Sequence, residues 1–454
     1  MIPAPLDSQF QPAVLWRKNF EQKAQQSGQP VDCRIALEQT NGTTFAYSTL
    51  LLPVNHPDAE SNFRHLERLV KFLLWAYGGY KVYVKAPKEL VDQLIRYFEF
   101  TPTGQFDSNL IGQKVYGQQI EILHAEECPE AHLTSQPLGR HLDGCRIGFD
   151  LGGSDRKVAA VIDGQVLYSE ETVWDPYHKT DPQYHLDGIL DSLQKAADHL
   201  PQVDAIGGSA AGIYVNNQVK VASLFRGIPE SLFNTTVRHI FRDVSREMNL
   251  PITVVNDGEV TALAGSMSLK RNSVLGISMG TSLAAGYVNQ DGNITTQLNE
   301  LAFVPVDYNP DAPADEWSGD LGCGVQYFSQ QAVARLLEPA GIDLSHIPDL
   351  PSKLKEVQIL MEAEDSRARK IYETIGVYLG YTLPHLADFY DFENILFLGR
   401  VTSGTGGEII QTTAQKVLDS EFPDLAEKLT FHVPDEKEKR HGQAIAAASL
   451  PSLD

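Results

Sequence analysis

Two similar glycine-rich turns, each between apolar strand-like runs, lie about 130 residues apart in this chain. The first is IGFDLGGSDRKVAAV (residues 147–161), and the second is LGISMGTSLAAGYV (residues 275–288). Glycine permits a tight turn and leaves no side chain between the backbone amides and an anion. Two such hairpins facing each other across a cleft can hold a polyphosphate through their amides. The pair therefore predicts phosphoryl-transfer chemistry.

Other nucleotide-binding loops fit these turns less well. Neither turn is followed by the Gly-Lys-Ser/Thr tripeptide of a Walker loop, and a strand follows each one where a dinucleotide-binding fingerprint needs a helix. One glycine hairpin alone more often merely joins two strands. Here a strand, an Asn-Asp pair and a helix stand between the two hairpins, in ITVVNDGEVTALAGSM (residues 252–267), and this combination favours a nucleotide site.

Composition predicts a globular enzyme of two or three domains in a reducing, cytoplasmic setting. The 454 residues are 42% hydrophobic, no stretch has membrane-spanning length, and the first 30 residues lack a signal-peptide pattern. The four cysteines are scattered without metal-ligand spacing; they are Cys33, Cys128, Cys145 and Cys323. Residues 1–140 carry 13 Lys/Arg and 15 Asp/Glu, whereas the remainder carries 24 and 44. So acidic a surface repels nucleic acid, and we expect neither nucleic acid nor a membrane as a partner.

The pattern of elements divides the chain near residue 140. Residues 1–140 predict a small α+β domain, with a hairpin at Asn41-Gly42, a helix over about 59–77, and strands in GYKVYVKAP (79–87) and GQKVYGQQIEILHAE (112–126).

Beyond Arg146, strands and helices alternate, which is typical of an α/β fold. Helices are predicted at residues 187–201, 233–251 and 325–341, and a strand at NILFLGR (394–400).

Five segments together resemble the ROK (repressor/open reading frame/kinase) family of sugar kinases, over about residues 146–450. They are the two hairpins, VVNDGEVTAL, ILFLGRVTSGTGGEII and the late HGQAIAAA, in the family's order. The resemblance implies a two-lobed actin/hexokinase-like (ribonuclease H-like) ATPase fold, preceded here by the α+β domain. It implies a first lobe over 146–265, a second over 266–440, and a C-terminal helix within 441–454 that returns to the first lobe.

The resemblance also implies roles for particular residues. Asp257 would be the general base that takes the proton of a sugar hydroxyl; the alternative is a helix N-cap. Asn256 and Glu300 would bind the substrate, and Asp150 would hold Mg²⁺. The remaining positions would line the nucleotide: Gly152, Gly153, Ser154, Lys157, Gly280, Thr281, Ser282, Gly399 and Gly404.

The sugar pocket departs from the family pattern. Phe303 stands where the family has a histidine, and Cys323 alone remains of its zinc-binding cysteines, so we expect no zinc. Gln326 is a candidate replacement for a missing sugar-binding glutamate.

Two further segments could belong to a site. The carboxylates Asp315, Glu316 and Asp320 predict a solvated acidic loop rather than a cation or polyol site. The aromatic segment 173–185, with His178 and His185, either covers the cleft or packs on the N-terminal domain.

The sequence as a whole predicts an ATP- and Mg²⁺-dependent kinase of a sugar or sugar-like polyol, with a homodimer as a candidate assembly. Two alternatives stay open: an ATPase of the same superfamily with another substrate, and a sugar sensor without kinase activity.

Overall fold

The structure is a computed structural model that describes residues 1–133, 138–433 and 436–453. We call residues 1–133 the accessory unit, residues 145–269 the first lobe and residues 270–433 the second lobe. Each is built around its own sheet, and the predicted mixed α/β class is confirmed. No helix in the described residues is long and apolar enough to cross a membrane.

The accessory unit contains a four-stranded mixed sheet in the order β2-β1-β3-β4. Its elements are α1 (Ala13–Gln26), β1 (Val31–Glu38), β2 (Thr44–Leu51), α2 (Ser61–Tyr77), β3 (Lys81–Lys85), α3 (Lys88–Phe100), α4 (Pro102–Asp107) and β4 (Glu121–His124). Strands β1 and β2 form the predicted hairpin. Helix α2 buries almost its whole length, and its C-cap is Gly78, where φ is 78° and glycine is favoured.

The first lobe carries a five-stranded sheet in the order β11-β8-β5-β6-β7, in which β11, β8 and β5 are parallel. Its elements are β5 (Cys145–Leu151), β6 (Asp155–Ile162), β7 (Gln165–Val173), α5 (Pro182–Ala197), β8 (Ala205–Ala210), β9 (Ile213–Val215), β10 (Gln218–Val221), α6 (Glu230–Thr235), α7 (Ile240–Met248), β11 (Ile252–Asn256) and α8 (Asp257–Leu269). Strands β5 and β6 form the first glycine hairpin.

The second lobe carries a four-stranded sheet in the order β13-β12-β14-β15, with β12, β14 and β15 parallel. Its elements, with the C-terminal helix, are β12 (Val274–Met279), β13 (Leu283–Val288), α9 (Gln330–Arg335), α10 (Leu350–Glu362), α11 (Ser366–Ala387), β14 (Asn394–Leu398), α12 (Thr405–Glu421), α13 (Pro423–Ala426), β15 (Thr430–His432) and α14 (Glu436–Ala448). Strands β12 and β13 form the second glycine hairpin.

Helix α14 returns to the first lobe and packs on β5, β8 and α8. The approach is close because Gly148 and Gly207 have no side chain. A Cβ at Gly148 would lie 2.1 Å from the carbonyl oxygen of Ala444, and one at Gly207 would lie 1.7 Å from that of Ala447. Helix α14 therefore packs on the sheet of the first lobe, although the second lobe separates the two in the sequence.

Three predicted elements are wrong in part. Residues 112–126 form a strand only at Glu121–His124. Residues 112–116 belong instead to a π-helical stretch, Ser108–Tyr116, which continues from α4 and buries Leu110, Ile111 and Val115. The single helix at 233–251 is instead two, α6 and α7. The break follows Thr235 and Thr236, whose β-branched side chains disfavour helix.

The third error concerns residues 325–341. Only Gln330–Arg335 is α-helical there, because Ser329 caps the helix: its side chain accepts a hydrogen bond from the amide of Gln331. Helix α1 was not predicted, and its apolar residues Val14, Phe20 and Ala24 are buried in the accessory unit's interface with the second lobe.

One hydrophobic core runs through the accessory unit and the second lobe without interruption. In it Trp75 of α2 stacks on Phe303, and Phe72 stacks on Phe389. The first lobe has a core of its own. The accessory unit is therefore built into the second lobe rather than tethered to it.

Candidate functional site

Three parallel strands bring the candidate polar residues to one edge of the first lobe. In the sheet register Asp150 of β5 lies opposite Ser209 of β8, and Asn256 of β11 lies opposite Ala210. Parallel strands end together, and ligands of α/β proteins bind outside their carboxyl ends. Asp150, Asn256 and the following Asp257 therefore share the edge at which a ligand is expected.

Asp257 is the first residue of α8, but Asn256 is its N-cap. Asn256 Oδ1 accepts a hydrogen bond from the amide of Gly258 at 2.7 Å, while its Nδ2 donates to the carbonyl oxygen of Gly212 at 2.7 Å. Asp257 Oδ1 is also 3.0 Å from the Gly258 nitrogen. Because Asn256 supplies the cap, the capping role proposed as an alternative for Asp257 is already filled.

The carboxyl group of Asp257 belongs to an electrostatically linked set of acids. Burial and the negative charge of Asp150 raise its pKa from 3.8 to about 6. Burial and Asp257 raise the pKa of Glu300 to about 7, and burial and Glu300 raise that of Glu259 to about 8, although the Asn299 amide opposes the latter shift. Carboxyl groups with pKa values near neutrality can accept or donate a proton at physiological pH, which is typical of functional sites.

The first glycine hairpin places Asp150 among polar and charged neighbours. Burial raises the pKa of Asp150, while a hydrogen bond from Ser209 and the charge of Lys157 oppose the rise. Lys157 Nζ lies 3.9 Å from Asp150 Oδ2 and 3.2 Å from Asp155 Oδ1. Ser154 is exposed and donates to Asp155 Oδ2 at 2.9 Å. Lys157 is thus held by two carboxylates at the turn.

The aromatic segment 173–185 covers this hairpin through Trp174 and Tyr177. Trp174 Nε1 donates to the carbonyl oxygen of Gly152 at 2.8 Å. The Tyr177 hydroxyl lies where a Cβ at Gly153 would stand, at 2.0 Å from it. One side of Gly153 is therefore occupied by protein. The two histidines have different partners. His178 forms a hydrogen bond with Asp175, and His185 is buried with its Nε2 against the backbone oxygens of residues 176 and 224.

The second hairpin and the later glycine turn have open surroundings. Thr281 and Ser282 are exposed, and the Gly280 amide donates to the carbonyl oxygen of Ser282 at 2.9 Å. Gly399, with φ 96°, follows β14 and lies against Met279 at the end of β12, where a side chain would collide with the Met279 backbone. Gly404, with φ 65°, precedes α12 and has no atom within 4 Å of the position of a Cβ. Open space thus adjoins the backbone at Gly404, whereas the Gly280 amide and carbonyl are both hydrogen-bonded within the protein.

A cleft of about 600 Å³ adjoins the carboxyl cluster. Of the predicted site residues, Asn256 and Glu300 line it, whereas Asp257, Asp150 and the nucleotide-side glycines do not. The accessory unit contributes Gln39, Thr40 and Asn41 to its wall. The structure therefore joins the two predicted substrate residues in one cavity, with Asp257 directly next to Asn256 in the chain.

The altered pocket residues are occupied by packing. Phe303 stacks on Trp75 with ring centroids 4.2 Å apart. Cys323 is buried with its Sγ 3.7 Å from the Asp320 carbonyl oxygen, and no group of three His, Cys, Asp or Glu side chains suited to a metal occurs among the described residues. Gln326 is buried and bonds Gln331 Oε1 at 2.6 Å. The role of Gln326 as a sugar ligand stays a prediction, and the hydrogen bond to Gln331 does not favour it because it occupies the Gln326 amide nitrogen.

The prediction of a solvated acidic loop is wrong for two of its three carboxylates. Glu316 is exposed, but Asp315 and Asp320 are buried. Asp315 Oδ2 accepts hydrogen bonds from the Ser318 backbone and hydroxyl, both at 2.7 Å. Asp320 forms ion pairs with two cationic side chains of helix α2, Arg68 and Lys71, which are close to this loop only in the folded chain.

Those two cations form a buried ionic cluster with Asp320. Arg68 Nη2 lies 2.9 Å from Asp320 Oδ1 and 2.6 Å from Glu67 Oε1. Lys71 Nζ lies 2.7 Å from Asp320 Oδ2 and 3.0 Å from Asp107 Oδ2. Although burial acts in the opposite direction, Arg68 and Lys71 lower the pKa of Asp320 to about 2. The cluster fastens the accessory unit to the loop that follows Glu300.

Sequence reasoning missed part of the site. Glu259, two residues after Asp257, was available as a second acid in the first turn of α8 but carries no motif of its own. Tyr214, whose pKa is raised by burial and by the charges of Asp257 and Asp150, lies in the short strand β9, which has no recognisable sequence pattern. The Asn41-Gly42 turn was recognised as a hairpin. No local sequence pattern, however, indicates that it lies beside Thr296 and Glu300, about 250 positions later in the chain.

The family model described as the ROK family matches residues 146–450, about two thirds of the chain. A glucokinase of Halalkalibacterium halodurans is 24% identical over 306 residues, covering 63% of this chain and 89% of that protein.

Two solved structures agree with the same fold. The ROK hexokinase from Thermus thermophilus has a TM-score of 0.53 at 18% identity and covers 67% of this chain and 97% of its own. A ROK family transcriptional regulator, a homologue of the E. coli MLC protein, has a TM-score of 0.53 at 20% identity and covers 68% and 79%. The predicted two-lobed fold is thereby confirmed.

Proposed function

Because the chain belongs to the ROK family, we propose that it transfers the γ-phosphoryl group of ATP to a hydroxyl of a sugar or sugar-like polyol. The similarity to a glucokinase supports this reaction class. The observation that carries the proposal is Asp257, a half-buried carboxyl with a pKa of about 6 next to a polar cleft.

Asp257 is the proposed general base. A carboxyl with a pKa of about 6 is mostly ionised at pH 7 and still basic enough to accept a proton. The acceptor hydroxyl gives its proton to Asp257 as its oxygen forms a bond to the γ-phosphorus, and the bond from that phosphorus to the oxygen of ADP breaks. Asn256 and Glu300 line the cleft and orient the acceptor.

The nucleotide is proposed to lie along the exposed glycine turns, on Gly152, Ser154, Gly280, Thr281, Ser282, Gly399 and Gly404. The open space at Gly404 and the exposed Thr281 and Ser282 fit a phosphate or ribose. The side of Gly153 that Tyr177 covers is not available, so Gly153 contributes through its amide or its other face. Lys157, held between Asp150 and Asp155, would have to exchange one carboxylate for a phosphate oxygen.

Asp150 is the proposed ligand of Mg²⁺. It stands alone as a carboxylate on β5, is partly exposed, and suits an ion that takes one or two carboxylates together with phosphate oxygens and water. When bound, Mg²⁺ supplies positive charge that neutralises the transferring phosphoryl group.

The reaction class is tested by ADP release from Mg²⁺-ATP with and without each member of a panel of hexoses, hexosamines, polyols and disaccharides. Release that requires one acceptor, together with a phosphorylated product by mass spectrometry, is expected. Release at the same rate without any acceptor would identify an ATPase instead. An acceptor that raises the melting temperature without ADP release would identify a sensor.

Asp150→Ala is expected to raise the Mg²⁺ concentration needed for half-maximal activity and to lower kcat at saturating metal, because the metal loses its one protein carboxylate. A Mg²⁺ titration at fixed ATP measures both effects. Asp163→Asn, in the turn at the opposite end of β6, serves as the control, because asparagine can still accept the hydrogen bond from the Gly144 amide. The metal assignment fails when the two variants give the same titration as the unmodified protein.

A further inference from the structure

The cleft next to Glu300 is lined by residues of the accessory unit and of both lobes, which are far apart in sequence. One wall holds Asn256, Glu259 and Glu300 together with Tyr214. Another is the turn between β1 and β2, where Gln39, Thr40 and Asn41 line the same cavity. A ligand that fills the cleft must therefore touch the accessory unit as well as the two lobes.

The β1–β2 turn is held by hydrogen bonds and exposes polar side chains. The Gln39 amide donates to the Thr43 carbonyl oxygen at 2.9 Å, and the Thr43 amide donates to Asn41 Oδ1 at 3.0 Å. The Gln39 side-chain nitrogen donates to the carbonyl oxygens of Tyr77 and Thr296, both at 2.8 Å. Thr40 and Asn41 remain exposed. A turn fixed before binding loses little entropy when it contacts a ligand.

The same end of helix α2 that holds this turn also holds Glu300. The Glu300 amide donates to the Trp75 carbonyl oxygen at 3.0 Å, and the Asn299 amide donates to that of Ala76 at 2.9 Å. Tyr77, the last residue of α2, accepts from Gln39. Glu300 and the β1–β2 turn are thus fixed relative to each other through one helix end.

The chemistry of the lining selects against an anion. Among the described residues that line the cleft there is no Lys, Arg or His, and Glu259 and Glu300 contribute two carboxyl groups. The other polar lining groups are carboxamides and hydroxyls, which bond to hydroxyl groups. The volume of about 600 Å³ lies well inside the range of pockets that bury a ligand larger than one sugar ring.

We propose that the accessory unit is the specificity-determining wall of the acceptor site. The acceptor is a neutral glycoside: the ring that is phosphorylated lies at Asn256 and Glu300, and a second ring or other uncharged substituent extends to Thr40 and Asn41. This inference rests on the proposed kinase function and adds the substrate class to it.

The test compares kcat/KM for neutral disaccharides, such as maltose and cellobiose, with that for glucose, and includes a glucuronide as the anionic counterpart. The unmodified protein is expected to prefer a disaccharide and to reject the glucuronide. In Thr40→Trp the indole fills the far end of the cleft, so the disaccharide-to-glucose ratio of kcat/KM should fall by about 10-fold or more, mainly through KM.

Two controls separate this effect from a loss of structure. Thr40→Ser keeps the hydroxyl and should keep the ratio. Gln22→Trp adds the same bulk at an exposed position of α1 outside the cleft and should leave all rates unchanged. A ratio that Thr40→Trp leaves unaltered, or a clear preference for glucose in the unmodified protein, overturns the inference. If neither the disaccharides nor glucose stimulates ADP release, the kinase function itself is overturned.

Discussion

Asp257→Asn is expected to lower kcat for phosphoryl transfer by about 10²–10⁴-fold, the usual contribution of a general base. The amide keeps the size of the side chain and can still accept the hydrogen bond from the Gly258 amide, but it cannot take the proton of the acceptor hydroxyl. Nucleotide affinity, measured with a non-hydrolysable ATP analogue, should stay close to that of the unmodified protein.

The pH dependence of the unmodified enzyme gives a second measurement of the same group. Because the base must be ionised, kcat/KM should rise with pH through about 6, the pKa of Asp257, and this limb should be absent from the residual activity of Asp257→Asn. The raised pKa also means that ionisation of this carboxyl opposes folding as pH rises above 3.8. The variant should therefore be at least as thermally stable as the unmodified protein at pH 7.

Asp163→Asn is the matched control, because Asp163 lies in the turn after β6 and bonds the Gly144 amide through an oxygen that asparagine retains. It should keep full activity. Turnover by Asp257→Asn close to that of this control would show that the proton is taken by another group, and Glu300 would then be the next residue to replace.

Lys71→Met is expected to lower the free energy of unfolding by about 3–5 kcal/mol, because breaking a buried ion pair leaves an uncompensated charge. The Lys71 side chain is 0% exposed and pairs with Asp107 and Asp320. Burial disfavours its charge, yet these two carboxylates hold the pKa of Lys71 above its ordinary value. Methionine fills similar space and offers neither carboxylate a donor.

Urea unfolding followed by tryptophan fluorescence suits this measurement, because Trp75 Nε1 donates to Asp107 Oδ1 at 2.9 Å. Lys81→Met is the control: Lys81 is partly exposed at the surface, 3.9 Å from Glu38, and its loss should leave the unfolding midpoint unchanged. Equal midpoints for the two variants would mean that the ionic cluster does not fasten the accessory unit to the second lobe.

The sequence alone determined those features that depend on neighbouring residues. Glycine-containing turns between apolar runs specify the hairpins β5–β6 and β12–β13, and an Asn-Asp pair after ITVV specifies a strand end followed by a helix. These patterns act within a few residues, so the fold and the order of the candidate site residues could be predicted. The π-helical stretch before β4, in contrast, buries Leu110, Ile111 and Val115, so it depends on packing and could not be predicted.

Tertiary structure decided how the accessory unit takes part in the site. Arg68 and Asp320 are 252 positions apart, and Gln39 and Thr296 are 257 apart. Whether an acidic loop is solvated or buried depends on whether cations pair with it. The sequence of residues 315–320, DEWSGD, does not indicate that Arg68 and Lys71 of helix α2 will pair with Asp320. The pKa values of Asp257, Glu259 and Glu300 likewise follow from burial and from one another's charge. Desolvation and pairing between residues distant in sequence exist only once the chain has folded, so no local pattern encodes them.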